Sequence, residues 1–128
     1  MTRARYGAGM ATRRSVLGDV HVDRSEAATT AFDAPFQTLI TEGAWGTLWS
    51  DETISRRERS MLTLALLAAT GNFAEIPMHV RATANTGASR DDVMQAFLHV
   101  AVYAGVPAAN HAIKLAKETF AEMEAEDE

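Results

Sequence analysis

From Met61 to Thr70 the chain reads Met-Leu-Thr-Leu-Ala-Leu-Leu-Ala-Ala-Thr, apolar on nearly every side of any helix drawn through it. A helix of that kind has to be buried all round. In a chain of 128 residues that leaves two arrangements, a central helix of the chain's own bundle or a contact between subunits. The run falls short of the ~18 residues that a membrane span requires, and no apolar run elsewhere is longer. Ser55 stands before it as an N-cap, with Glu58 three residues on in a capping-box pattern. Arg56, Arg57 and Arg59 cluster at its entrance. They suit a solvated rim, or beside a pocket the recognition of a dicarboxylate.

The stretch Gly71 to Gly87 follows at once. Glu75 and His79 are four residues apart, which on a helix puts a carboxylate and an imidazole on one face, one turn apart. Asn72 and Thr83 extend the same face at helical spacing. Pro77 is tolerated in a first turn, where its missing N–H has no helical partner. Gly87 reads as the left-handed stop. The same spacing also suits a partly exposed helix whose Glu and His merely pair.

The remaining elements read as helices too. Residues 4–17 form a short helix closed by Gly18, weakened by Gly7 and Gly9 and so in need of a partner surface. Residues 19–24 read as a connector. Ser25 caps a second helix running to about Glu42, with Phe32, Phe36, Leu39 and Ile40 as its apolar stripe and Pro35 as a kink. Gly43 to Asp51 is an aromatic, glycine-broken segment whose Trp45 and Trp49 suit core packing, a pocket or a subunit contact. Ser89 caps a fifth helix with Val93, Ala96, Phe97, Val100 and Ala101 inward, and His99 and Tyr103 again four apart. Pro107 opens the last helix, docked by Ile113, Leu115, Ala116 and Phe120. No stretch alternates as a half-buried strand does. The expected fold is an all-α bundle of about six helices in one domain, residues 1–128, with the acidic tail 122–128 frayed.

Composition narrows the function. With 47% hydrophobic residues the chain has material for a core, and with no cysteine it has no disulfide, thiolate metal site or thiol redox chemistry. A disulfide-free chain is at home in a reducing cytosol. The net charge of −5 opposes nucleic-acid binding, which needs a basic face. Arg3, Arg5, Arg13 and Arg14 precede any acid, as in a transit peptide, but they lead directly into folded-looking sequence. Glu75 and His79 offer a metal two ligands, too few for a site, and no His-Glu-x-x-His motif is present. His21 and His111 are read as structural.

Several blocks occur in a telling order: Gly9, then Arg13-Arg14-Ser15-Val16-Leu17-Gly18, Ala44-Trp45-Gly46 with Trp49, and Arg59-Ser60-Met61-Leu62-Thr63. Glu75-Ile76-Pro77-Met78-His79-Val80-Arg81-Ala82 follows, then His99, then Tyr103-Ala104-Gly105-Val106-Pro107-Ala108-Ala109-Asn110. From about Tyr6 to Ala116 the sequence resembles the 4-carboxymuconolactone (gamma-carboxymuconolactone) decarboxylase family. The wider alkylhydroperoxidase D-like superfamily carries Cys-x-x-Cys, a histidine four residues later and a glycine eight after that. Here His79 and Gly87 match, but Asn72 and Glu75 stand at the cysteine positions. Without a thiolate there is no peroxidatic nucleophile, which favours the decarboxylase branch.

The resemblance implies a helical fold, a ring-like homo-oligomer (a hexamer or trimer), a cytoplasmic enzyme and no cofactor. It implies decarboxylation of 4-carboxymuconolactone to 3-oxoadipate enol-lactone in the protocatechuate branch of the beta-ketoadipate pathway. The substrate lactone contains its own electron sink. On this resemblance His79 stabilises the developing oxyanion or donates the proton, and Glu75 orients His79 or relays its proton. Arg59, and less directly Arg81, bind substrate carboxylates. His99 and Tyr103 are second candidates for the pocket, with a core or interface role as the alternative. Rival readings are another lactone or keto acid on the same scaffold, or a non-catalytic helical oligomer that binds a small ligand.

Overall fold

A computed structural model describes residues 2–127, and among them every regular element is helical. In order they are α1 (Thr2–Leu17), α2 (Asp19–Ala28), α3 (Ala34–Ile40), a π-helix (Thr41–Trp49) and α4 (Arg56–Ala69). A 3₁₀ turn (Phe73–Glu75) leads into α5 (Ile76–Thr86), followed by α6 (Arg90–Tyr103) and α7 (Val106–Glu126). The chain divides after Ser55 into two compact units.

In the first unit α1 lies against the π-helix. The two backbones meet at glycines: a Cβ on Gly9 would overlap the carbonyl oxygen of Thr41, and one on Gly46 that of Arg5. The glycine that weakens α1 as a helix is thus the one that lets its partner surface approach. The wide turn of the π-helix puts Thr41, Trp45 and Trp49 on one buried side, with the two indole rings 5.3 Å apart and tilted by 34°. The Ser50 hydroxyl donates to the Trp45 carbonyl at 2.6 Å, so its oxygen is left to accept from Thr12 at 2.8 Å. Arg13 is buried; its guanidinium donates to Ser25, Gln37 and Thr41, with the Glu26 carboxylate 3.9 Å away.

Three expectations change here. The presumed connector 19–24 is helical, and Ser25 lies inside α2, where its hydroxyl accepts from Arg13. The expected second helix is broken at residues 29–33 by a turn in which the Asp33 carboxylate accepts from the Thr30 N–H, so Pro35 opens α3 instead of kinking a longer helix. Its proposed stripe stays in solvent, with Phe32 93%, Phe36 57% and Leu39 68% exposed.

The second unit is built on Leu64 and Ala68 of α4, Ile76 and Val80 of α5, Val93, Phe97 and Val100 of α6, and Ala109, Ala112 and Ala116 of α7. Ser89 and Asp92 form a reciprocal capping box at the start of α6. The Asp92 carboxylate also accepts two hydrogen bonds from Arg57, from Nε at 2.7 Å and Nη2 at 2.6 Å, which ties α4 to α6. Gly87 ends α5 at φ 86°, in the left-handed region where a side chain would be strained. α4 is not buried all round: Leu62 and Leu66 are 55% and 63% exposed. α7 runs on to Glu126, where Arg81 and Arg90 of the neighbouring helices pair with Glu122, Glu124 and Glu126, so the part of the tail expected to fray is helical as far as Glu126.

Candidate active site

The second unit has little polar surface inside it. Arg59 and Ser60 on α4 and His79 and Thr83 on α5 are its buried polar side chains between residues 56 and 100. His79 and Thr83, four apart, share one face of α5, as their spacing requires. The Thr83 hydroxyl donates to the Val80 carbonyl at 2.6 Å. Ser60 and Thr86 share a hydroxyl–hydroxyl bond of 2.7 Å, which ties the first turns of α4, where Arg59 sits, to the end of α5. Sequence reasoning missed this Ser60–Thr86 link. Its one signal was a serine at the mouth of an otherwise apolar run.

The rest of the expected face does not assemble. The chain turns through the 3₁₀ segment before α5 begins, so Glu75 is the residue that caps α5, exposed to solvent. There its charge suits the positive end of the helix dipole. Among the described residues no hydrogen bond or ion pair joins its carboxylate to His79. The Asn72 amide turns back and donates to the Thr70 hydroxyl at 2.7 Å.

Arg81 points away from His79, as two residues of helix dictate. Its guanidinium donates to both carboxylate oxygens of Glu126, at 2.9 and 3.0 Å, and to Glu122 at 2.9 Å. Those bonds raise its pKa and depress that of Glu126. His99 and Tyr103 stack on the outer face of α6, with ring centroids 6.3 Å apart and planes 15° from parallel. Tyr103 is 85% exposed, and the two rings line a shallow open groove with Gln95, Leu98 and Val102. His111 packs against Phe73 with ring centroids 4.1 Å apart and planes tilted by 36°. Among the described residues no three His, Asp or Glu side chains converge as a metal site would require. Nor is any described helix long and apolar enough to cross a membrane.

His79 on α5 brings a buried imidazole, a group able to move a proton, and Arg59 on α4 a buried guanidinium, a group able to bind an anion; the Ser60–Thr86 bond ties their two helices together. Residues 34–118 match the model of the carboxymuconolactone decarboxylase family. A 4-carboxymuconolactone decarboxylase of Acinetobacter baylyi is 40% identical over 119 residues, covering 93% of this chain and 89% of that protein. A nitrosuccinic acid decarboxylase of Metarhizium robertsii is 36% identical over 121 residues, covering 94% of this chain and 85% of that protein. A 4-carboxymuconolactone decarboxylase sequence from Pseudomonas putida is 50% identical over 44 residues, 34% of this chain.

Proposed function

The chain belongs to the carboxymuconolactone decarboxylase family and is a decarboxylase of the lyase class, and from that premise we propose that its substrate is 4-carboxymuconolactone. The observation that carries the reading is the 40% identity to a decarboxylase of that substrate along nearly the whole of both chains. Because that match spans both compact units, we read residues 1–128 as one functional domain.

The reaction needs a site that binds, stabilises charge and protonates. The carbon–carbon bond to the carboxylate beside the ring oxygen breaks, and CO2 leaves. The electron pair moves through the ring double bond onto the lactone carbonyl oxygen. A proton then adds to the ring carbon beside that carbonyl, giving 3-oxoadipate enol-lactone. Buried Arg59 suits the retained acetate arm, where a guanidinium gives a carboxylate two parallel hydrogen bonds. His79 is assigned to the growing oxyanion and to proton delivery, since imidazole titrates near neutral pH. Glu75 faces solvent one turn earlier, a position from which it can replenish the His79 proton. Arg81 is committed to Glu122 and Glu126, so carboxylate binding is kept for Arg59. The exposed His99–Tyr103 pair fits contact with a neighbouring copy in a cytoplasmic homo-oligomer.

The fungal relative gives one specific alternative. Nitrosuccinic acid also carries a carboxylate on a carbon next to an oxygen-terminated electron sink, its nitro group. The same three tasks would serve it. The test generates 4-carboxymuconolactone with upstream enzymes, adds the purified protein without metal or cofactor, and follows CO2 and enol-lactone. Nitrosuccinate is assayed in parallel. Conversion of the lactone, lost in His79→Ala, supports the proposal. Turnover of nitrosuccinate alone replaces it with the alternative.

A further inference from the structure

We propose that the second unit carries a small-molecule site separate from the His79 face, a groove between α6 and α7 that takes a monocarboxylate with an apolar body. The groove is open along one side and offers about 310 Å³, and none of its lining residues is Arg59, Glu75 or His79. Val93, Met94 and Phe97 of α6 and Ile113 and Phe120 of α7 make its apolar wall. That volume lies at the lower end of the range for ligand pockets and holds about ten non-hydrogen atoms if each takes the share of one water. Met94, 39% exposed and unbranched, gives the wall a side chain that can adapt to the occupant.

The rim fixes the charge of the occupant. Arg90, Lys117 and Glu124 stand there. Arg90 pairs with Glu124 and lies 4.7 Å over the Phe120 ring, so those two charges cancel and hold one edge of the groove in place. Lys117 has no carboxylate partner among the described residues. Two cations against one anion leave one net positive charge at the mouth of an apolar groove, on a chain whose net charge is −5. A single carboxylate on an aryl or short acyl body matches that rim and that wall. A dicarboxylate does not, since its second charge would have to enter the apolar wall.

The test uses the intact protein, 3-phenylpropanoate as the probe and its uncharged amide as the control. Methionine methyl groups labelled with ¹³C report the site, with Met94 identified by Met94→Leu and Met78, next to His79 in sequence, as the control methyl. The expected result is a saturable shift of the Met94 methyl with a Kd of about 1 mM, the strength that roughly ten ligand atoms support. The amide and the Lys117→Gln variant should each bind at least fivefold more weakly, and circular dichroism should confirm that the variant is folded. Three results would each overturn the proposal: an unmoved Met94 methyl, which includes the case of a groove closed by a second copy; a shift confined to Met78; or equal binding by acid and amide, or by wild type and variant.

Discussion

At the scale of single residues the decisive contrast is between His79 and Arg81, two positions apart on α5. The imidazole is 9% exposed, whereas the guanidinium lies at the surface, held by two carboxylates of α7. If His79 handles the proton and the oxyanion, His79→Ala should lower kcat by about 10²–10⁴-fold, the usual contribution of a positioned acid or base, with unfolding and oligomeric state little changed. Arg59→Ala should act mainly on KM, because it removes a contact made to substrate and transition state alike. Steady-state kinetics on the two variants separates the roles, and the same effect on kcat from both would reject the division. Arg81→Gln should leave turnover near the wild-type value. Half of this was legible in the sequence. Helical spacing placed His79 with Thr83 and turned Arg81 elsewhere. It did not show that the chain turns through a 3₁₀ segment at Phe73–Glu75, which puts Glu75 and Asn72 outside the buried face.

At the scale of elements, helix ends and helix crossings hold the fold. Asp92 serves both as the reciprocal member of the Ser89 capping box of α6 and as the partner of Arg57 on α4. The Arg57 guanidinium, and then the Ser89 hydrogen bonds, hold the Asp92 carboxyl well below the usual carboxylate range. A depressed pKa contributes stability that is present above the unfolded value of about 3.9 and is lost as pH falls through the folded one. Arg57→Gln should therefore unfold more readily at neutral pH and show a shallower loss of stability below about pH 4, seen by urea titration across pH. Parallel curves for variant and wild type would place the coupling elsewhere. The crossing of α1 on the π-helix has no such tolerance. A methyl at Gly9 meets backbone, not a movable side chain, so Gly9→Ala should cost about 1–3 kcal/mol, the range for overpacking, while Gly7→Ala, with open space around it, should be neutral or stabilising. The sequence marked both glycines as weak points in a helix, but only the packed structure distinguishes the one at the crossing from the one in solvent. The π-helix was not legible at all, because its residues carry no spacing that periodic patterns at 3.6 or 2 residues detect.

At the scale of the whole molecule the apolar residues left in solvent carry the argument. Within the single chain Leu62 and Leu66 of α4, one turn apart, are more than half exposed. α6 repeats the pattern with Leu98 at 45% and Val102 at 76%, and Val106 at the start of α7 is 67% exposed. Helices that bury one apolar face and leave a second in water signal a contact surface. The sequence offered a central helix or a subunit contact for α4, and its exposed leucines favour the second. If copies of this chain close over these stripes, the protein should sediment as a single oligomer at micromolar concentration. Leu66→Glu and Val102→Glu should each shift it to smaller species, since a carboxylate would have to enter an apolar interface. Both side chains lie outside the chain's own core, so each variant should keep its helical circular dichroism, which distinguishes dissociation from misfolding. A wild-type protein that sediments as a monomer would remove the homo-oligomer from the proposed function while leaving the His79 chemistry to be judged by the kinetics alone.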